Sequence, residues 1–472
     1  MSETAKSIER TEDGYIIGVV GTHPELGWSR RGFMKIDEEG NLVDETILES
    51  DTSSLSLGFS NSGDHITDST FYCAGTEEFL DGTKYSSILK YDSNGEIIWS
   101  QTYGVEGFSY VAAGGITTSD GGFVIVGETN DFPNASNLLG CAFLLKYSSS
   151  GEVEWLEKHY SSQGRMIGYS VDELPNGQLV LSGTHRFWSG TFDEPDMFVI
   201  KTEPNGQEIW SRIYGSENAE LPCFVTALSN GDVLLHGNLA LEDSPVGGFL
   251  YSARLDSQEG DVIWDYSFSS LISASCLWNR AIEKEDGSIT LSGFVQRPDE
   301  MSQPAEYVAI AQLSSVGDSI WSRIYRFEGD QEINGWSQDM VESNDQGFVL
   351  AGFVWPDTNN SQDVWVLKLD EFGCLIPGCQ TNVSEVDQLN FVEVFPNPCY
   401  DVIRIKSSSE SRIKLLSIYN LEGEEVFVRY NPENTNTTAI SLDVSHLGIG
   451  CYVLVREDER GLKSRTKFFK NE

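Results

Sequence analysis

The side chains that most often perform catalysis or bind metals are few in this chain and lie far apart in sequence. Its six histidines include no two at the spacing of a metal-ligand pair, and no His-Glu-x-x-His motif occurs. The chain has no Gly-x-Ser-x-Gly elbow, no Gly-Lys dipeptide and no Gly-x-Gly-x-x-Gly turn. Hydrolase, kinase and Rossmann functions therefore lose their sequence support, and we expect neither a cofactor nor a metal ion.

Carboxylates are the one abundant reactive group. The 472 residues include 73 Asp and Glu against 31 Lys and Arg, which gives a formal net charge of −42. Two converging carboxylates could supply an acid and a base, but such abundance first favours solubility. Asp196 and Asp363 open equivalent segments of a repeat, where capping a turn is the better interpretation.

The same acidity limits the partners. A strongly negative protein repels phosphate backbones and anionic lipid surfaces, so we expect no nucleic acid partner. No apolar run is long enough to span a bilayer, and we expect no stable membrane insertion. The charge is also uneven, because residues 1–384 hold 20 basic and 59 acidic side chains whereas residues 385–472 hold 11 and 14. This shift predicts a domain boundary near Glu385.

One phrase recurs seven times before that boundary. It joins a turn containing Gly to a short apolar run and, in five copies, a Trp, as in KYDSNGEIIW and KTEPNGQEIW. The turn glycines are 54 to 57 residues apart: Gly40, Gly95, Gly151, Gly206, Gly260, Gly317 and Gly373. Between them lie short segments rich in β-branched and aromatic residues, separated by turn dipeptides. Four antiparallel strands in each of seven repeats predict a seven-bladed β-propeller over residues 1–380.

The repeated Trp follows its turn Gly by four residues, at Trp99, Trp155, Trp210, Trp264 and Trp321. Burying an aromatic side chain removes about 150–250 Å² from water, so we expect a wedge between adjacent blades rather than a ligand contact. The first and seventh copies carry Asp44 and Pro377 there, where the ring must close. Residues 1–7 offer no obvious replacement strand, and we expect the native polypeptide to begin upstream, with a closing strand and an export signal.

The last 80 or so residues follow another pattern, without a repeated Trp strand. Alternating apolar positions separated by Gly or Asn turns predict a small β-sandwich over residues 391–472, joined to the propeller by a linker over 381–390. The segment FPNPCYDVIRI resembles the opening motif of the type A C-terminal sorting domain of the type IX secretion system. The segments IYNLEGEEV, LGIGCYVLV and KFFK resemble its later strands in the same order. The upstream repeats resemble those of large secreted proteins of Bacteroidota.

This resemblance implies a sorting signal that comprises Phe395, Pro396, Asn397, Pro398, Gly448, Gly450, Tyr452 and Lys467. It also implies passage from the periplasm through the type IX translocon, followed by processing by the sortase machinery and release or attachment at the outer cell surface. A purely structural interpretation stays open, in which Pro396 and Pro398 fix an entry turn and Tyr452 fills a core.

Export of this kind is compatible with disulfides. Cys374 and Cys379 flank Pro377-Gly378, and we expect them to form a bridge. Cys399 and Cys451, each at the start of a predicted strand, are a second candidate pair. The remaining four cysteines lie in apolar strand contexts, where we expect them to be buried and inert: Cys73, Cys141, Cys223 and Cys276.

Two functions remain after these exclusions. A propeller carries variable loops on a rigid ring, so a module that binds an extracellular glycan or protein is the favoured hypothesis. Its candidate contacts are the loop aromatics Trp28, Phe187, Trp188 and Trp355. Packing of these four side chains between blades is an equally good interpretation of the sequence. The alternative is a carbohydrate-active hydrolase or lyase with two carboxylates at the channel mouth, an idea that fold analogy alone supports.

Overall fold

The computed structural model of the chain forms two compact units, Met1–Leu375 and Ile376–Glu472. It describes residues 2–470 apart from 24, 59–62, 68–69, 132–139, 189–192, 216–221, 241–247, 269–274, 299–303, 327–333, 356–360, 376–391, 396–398, 408–412, 420–424, 431–438, 449 and 459–462.

Consecutive strands of the first unit form successive antiparallel sheets. The first sheet comprises β1 (Glu3–Thr11), β2 (Gly14–Thr22), β3 (Ser29–Asp37) and β4 (Leu42–Leu48). The second comprises β5 (Ser53–Leu57), β6 (Gly63–Thr67), β7 (Thr70–Phe79), β8 (Lys84–Asp92) and β9 (Ile97–Tyr103). The third comprises β10 (Tyr110–Thr117), β11 (Phe123–Thr129), β12 (Cys141–Tyr147) and β13 (Val153–His159).

Four more sheets follow in the same manner. The fourth comprises β14 (Gly164–Glu173), β15 (Leu179–Trp188), β16 (Asp193–Thr202) and β17 (Glu208–Tyr214). The fifth comprises β18 (Phe224–Ala227), β19 (Val233–Ala240), β20 (Gly248–Leu255) and β21 (Val262–Ser267). The sixth comprises β22 (Cys276–Glu283), β23 (Ile289–Pro298), β24 (Pro304–Leu313) and β25 (Ser319–Tyr325), and the seventh comprises β26 (Asn334–Glu342), β27 (Phe348–Trp355) and β28 (Asp363–Leu369).

The sheets are packed face to face in a ring. Among the described residues, seven apolar clusters each combine side chains of two adjacent sheets. One of them joins Ile8 and Ile17 of the first sheet to Val349 and Ala351 of the seventh, and so closes the ring. The prediction of an all-β propeller is confirmed, and seven sheets are consistent with seven blades.

Strand order places the first strand of each sheet at the centre, because these strands contact one another, whereas the last strands are largely exposed. Since neighbouring strands are antiparallel, the tight turns around the repeated glycines all lie at one end of the ring, the lower face. The connections between second and third strands, and those between successive sheets, lie at the opposite end, the upper face. The longer connections are therefore collected on one side.

The repeated Trp residues lie between sheets, as the sequence predicts. A Cβ atom added to Gly206 would lie 2.7 Å from the ring of Trp155 in the preceding sheet. The same arrangement recurs between Gly260 and Trp210 at 3.0 Å. These glycines also adopt positive φ, +82° at Gly206, which side chains disfavour. The turn glycine is thus required both by its backbone conformation and by the ring that covers it.

A repeated cation fixes the lower face. At the end of the third strand, Lys146 Nζ lies 2.6 Å from Asp120 Oδ1, in the turn between the first two strands of the same sheet. Equivalent ion pairs join Lys35 to Asp13, Arg254 to Asp232 and Lys368 to Asp345. In these four blades, the cation of the repeated phrase therefore ties the end of the third strand to the turn between the first two strands.

The described residues of the second unit form two sheets. One has β29 (Val392–Phe395), β30 (Val402–Ser407) and β33 (Ala439–Asp443), and the other has β31 (Ile413–Tyr419), β32 (Glu425–Tyr430), β34 (Gly450–Asp458) and β35 (Lys463–Lys470). Their apolar residues form one core that includes Ile403, Leu416, Leu454 and Phe468. The predicted β-sandwich is confirmed.

Replacing Gly206 with alanine tests the contact between turn and Trp. Gly206→Ala meets both the positive φ and the Trp155 ring, whereas Gly231→Ala is a matched control with φ +90° and nothing within 4 Å of the new Cβ. We expect Gly206→Ala to reduce the free energy of unfolding by about 1–3 kcal/mol more than the control, because the interface is overpacked. Urea unfolding followed by Trp fluorescence measures the difference. Equal losses in the two variants would show that backbone conformation alone requires the glycine.

Candidate functional site

The strands at the centre of the ring carry a β-bulge at a repeated level. The pairing registers shift so that each of five first strands has one residue more than the paired stretch of the second strand: Lys6, Ala113, Tyr169, Asn279 and Gln338. A bulge interrupts the alternation of side chains and increases the local twist of a strand. A bulge therefore changes the direction of side chains at the centre of the ring, whereas a regular strand keeps their alternation.

A concave pocket of about 560 Å³ lies among the first four sheets, and we call it the mouth pocket. It lies towards the upper face, because its lining includes Ser29 and Lys84, the first residues of β3 and β8. Its titratable lining residues are Lys6, Glu78, Lys84, Glu128, Arg165 and Tyr169.

Ion pairs hold much of the charged lining in place. Arg165 contacts Glu128 through two nitrogens, with Nη2 2.7 Å from Oε2. Lys84 Nζ lies 3.2 Å from Glu78 Oε2. Burial lowers the pKa of Lys6 to about 8, because the charged ammonium group loses hydration.

Aromatic side chains gather on the other side of the ring, in an aromatic cluster that we define as Phe294, Trp336, Phe353 and Trp355. The rings of Phe294 and Trp336 are stacked, with centroids 3.8 Å apart and an interplanar angle of 4°. Trp355 contacts Trp336 and Phe353 edge to face at 5.5 and 4.8 Å. Tyr169 and Trp336 both pack against the same buried patch of Phe224, Leu277 and Phe294. This patch connects the mouth pocket to the aromatic cluster.

One carboxyl group belongs to the aromatic cluster. Trp336 Nε1 donates a hydrogen bond to Glu306 Oε2 at 2.7 Å. Burial raises the pKa of Glu306, and the hydrogen bond from Trp336 opposes that increase. Glu306 is therefore a candidate proton donor at this mouth.

The four aromatics predicted from sequence all belong to the upper face. Trp28 directly precedes β3, Phe187 and Trp188 end β15, and Trp355 ends β27. Of those whose side chains are described, Trp355 joins the aromatic cluster, while Phe187 packs edge to face on His185 at 4.0 Å. Trp28 is half-buried, and the side chain of Trp188 lies outside the described residues. Their role in ligand binding stays a prediction.

The strand cysteines are unsuited to nucleophilic chemistry. Burial raises the pKa of Cys141, Cys223 and Cys276 to about 12 in each case, so the reactive thiolate is scarce at neutral pH. The prediction that they are buried and inert is supported by this environment.

The second candidate disulfide is wrong. Cys399 is a free thiol, and its backbone bridges to Lys470, whereas Cys451 pairs with Phe469 in the neighbouring strand. Cys374 is buried, and Cys379 lies outside the described residues. The pairing of Cys374 with Cys379 therefore stays a prediction.

The residues implied in sorting occupy two kinds of position. Tyr452 is buried, donates its hydroxyl hydrogen to the Gly448 carbonyl at 2.9 Å and stacks on Phe468 at 5.6 Å. Phe395 ends β29, Gly450 begins β34, and Lys467 pairs with Val453 across β34 and β35. Pro396, Asn397 and Pro398 lie outside the described residues.

Comparison with known families identifies the second unit. Residues 393–471 match the family model of the secretion system C-terminal sorting domain. A sorting domain of this kind indicates secretion or an outer-surface location. Within the described residues, no helix is long and apolar enough to cross a membrane.

Solved structures resemble the chain in fold at low sequence identity. The β-propeller domain of the Trilobed protease from Pyrococcus furiosus is 9% identical, with a TM-score of 0.43 over 78% of this chain and 95% of that chain. A puromycin hydrolase is 12% identical, with a TM-score of 0.47 over 85% and 58%. The polysaccharide lyase Uly1 is 9% identical, with a TM-score of 0.42 over 78% and 90%. No curated protein matches the sequence.

Alkylation tests whether the strand cysteines are inert. We expect iodoacetamide at about pH 8 to leave Cys141, Cys223 and Cys276 unmodified in the folded protein, and to modify all three in urea. Ser100→Cys, on an exposed position of β9, is the positive control and should react in the native state. Peptide mass spectrometry gives the modified fraction at each site. Native labelling of Cys223 as fast as that of the control would contradict its burial.

Proposed function

We propose that this is a secreted protein that binds an extracellular glycan at the upper mouth of its propeller. The observation that carries the proposal is the combination of the mouth pocket with the aromatic cluster, linked through Tyr169. A pocket of about 560 Å³ is within the size range of small-molecule sites. Aromatic rings supply flat apolar surface for the carbon-bound hydrogens of a sugar, and the neighbouring polar groups supply hydrogen bonds for its hydroxyls.

The upper face also suits such a ligand. The connections between second and third strands and between sheets meet there, while the lower face is occupied by tight turns and ion pairs. Binding residues are often on loops held by a rigid scaffold. Trp28, Phe187, Trp188 and Trp355 then contribute aromatic contacts around the mouth.

In this proposal, the second unit supplies the sorting signal that determines where the protein is delivered. We infer that it directs the chain through the type IX translocon and to the sortase machinery, as in secreted proteins of Bacteroidota. Phe395, Pro396, Asn397 and Pro398, with Gly448, Gly450, Tyr452 and Lys467, form the proposed signal. The Tyr452 hydrogen bond to Gly448 supports a structural part in it, because it fixes the turn that enters β34.

Glu306 favours a second candidate, a carbohydrate-active enzyme. A glycosidase needs one carboxyl group with a raised pKa and a second about 5–10 Å away. Glu306 meets the first requirement. In the mouth pocket, by contrast, Glu78 and Glu128 are each paired with a cation, which favours binding over proton donation.

Titration with a panel of neutral and charged oligosaccharides tests the binding site. We expect Trp355→Ala to weaken binding of the best ligand about tenfold, because a stacking surface is lost. Tyr400→Ala, which removes an aromatic side chain that is 61% exposed in the sorting domain, is the control and should leave the affinity unchanged. Equal affinity in wild type and Trp355→Ala would remove the aromatic cluster from the site. If the wild-type protein releases reducing ends from an oligosaccharide and Glu306→Gln does not, the carbohydrate-active enzyme is the better proposal.

Deleting residues 393–471 tests whether the second unit is a sorting signal. The full and the truncated chain are each fused to a Sec leader, which delivers them to the periplasm of a bacterium with a type IX system. We expect the full chain at the cell surface or in the medium and the truncated chain in the periplasm, because the translocon recognises the sorting domain. Fractionation with immunoblotting measures the distribution, and a periplasmic marker enzyme shows that the cells are intact. The same distribution for both chains would refute the proposed route.

A further inference from the structure

The mouth pocket is cationic in a strongly acidic protein. Its lining includes three basic side chains, Lys6, Lys84 and Arg165, against the two carboxylates Glu78 and Glu128. The chain as a whole has a formal net charge of −42. A local excess of positive charge in a concave, partly desolvated site attracts anions and discriminates against cations.

A second arginine strengthens this charge. Arg165 of β14 and Arg186 of β15 stand directly opposite each other in the register, so their side chains leave the same face of the sheet. Both guanidinium groups act on Tyr169, where they oppose the larger effect of burial, which raises its pKa.

The geometry prepares Arg165 for such a ligand. Glu128 engages its Nε and Nη2 atoms, and this contact fixes the plane of the guanidinium group at the edge of the pocket. A planar guanidinium group binds carboxylate or sulfate oxygens with defined geometry, which a flexible ammonium group does not. The side chain of Arg165 is still 44% exposed and therefore accessible to a ligand.

Lys6 adds a charge that is costly to bury. The β-bulge in β1 places it in the pocket lining. Burial lowers its pKa to about 8, because the charged ammonium group loses hydration. An anion in the pocket would supply a charge-assisted hydrogen bond in place of the lost water.

We propose that the mouth pocket is a subsite for an anionic sugar residue, whose carboxylate or sulfate group is bound by Lys6 and Arg165. This inference rests on the proposed glycan-binding function and specifies its ligand class. Tyr169 lines the pocket and packs on the apolar patch that also contacts Trp336. The charged residue of the glycan therefore occupies the pocket, while the adjoining residues extend towards the aromatic cluster.

Calorimetric titration of the full chain with three matched oligosaccharides tests the subsite. The probes are an oligogalacturonate, a sulfated galactan oligosaccharide and a neutral galactan oligosaccharide of equal length. We expect at least one anionic probe to bind about tenfold more tightly than the neutral one, with a difference that narrows as salt is added. Comparing the two anionic probes distinguishes carboxylate from sulfate.

Charge-neutralising variants identify the residues responsible. Arg165→Gln and Lys6→Gln should each weaken binding of the anionic probe about tenfold and leave the neutral probe unaffected. Arg212→Gln on β17 is the matched control, because Arg212 is 49% exposed and also faces a carboxylate, Asp261, at 3.7 Å. Lys84→Gln, a variant of another exposed cation in the same lining, replaces Arg165→Gln if that variant does not fold.

The outcomes separate this inference from the function on which it rests. If neutral and anionic probes bind equally and only Trp355→Ala weakens them, the glycan site stands and the anionic subsite is refuted. The subsite is also refuted if Arg212→Gln weakens anion binding as much as Arg165→Gln, because the effect then reflects net charge. If none of the three probes binds, both proposals fail together.

Discussion

Apolar packing between neighbouring sheets is the interaction on which the propeller depends. Each sheet has two apolar faces, and the clusters between sheets include a closing one in which Ile8 and Tyr15 meet Val349 and Ala351. Polar contacts reinforce that closure, because Asp339 accepts a hydrogen bond from the Ile8 amide at 2.9 Å and Glu3 N donates to the Gln362 carbonyl at 2.6 Å. Face-to-face packing with these few bonds can therefore hold the first sheet against the last.

A ring packed in this way fixes the positions of its central strands and leaves their local geometry free to vary. The bulges at Lys6 and Tyr169 use that freedom, since each adds one residue to the first strand relative to the second. An irregular strand is tolerated because it stays paired with the second strand of its sheet on both sides of the bulge. The scaffold thus separates the apolar packing between sheets, which stabilises the ring, from the irregular strands at its centre.

The sequence predicted what is local and repeated. A positive φ at the turn glycine and a Trp four residues later are short-range signals, so the blades, the lower-face turns and the interblade wedges could be predicted. The mouth pocket could not, because Lys6, Lys84 and Arg165 come from three different sheets and only the closed ring brings them together. The aromatic cluster was missed for another reason. Trp336 and Phe294 resemble core residues of ordinary strands, and only the structure shows that they are stacked beside the mouth.

The distribution of cations explains why an acidic chain can have a basic mouth. Lys35 and Lys146 belong to the repeated phrase, and each neutralises a turn carboxylate on the lower face of its own blade. These ion pairs between strand and turn explain why the lysine recurs in the repeated phrase. Lys6 and Arg165 lie outside that phrase, in central strands whose sequences differ from blade to blade, and they line a pocket. The fold does not require a cation at the bulge positions of the other blades, which agrees with the anionic subsite that we propose.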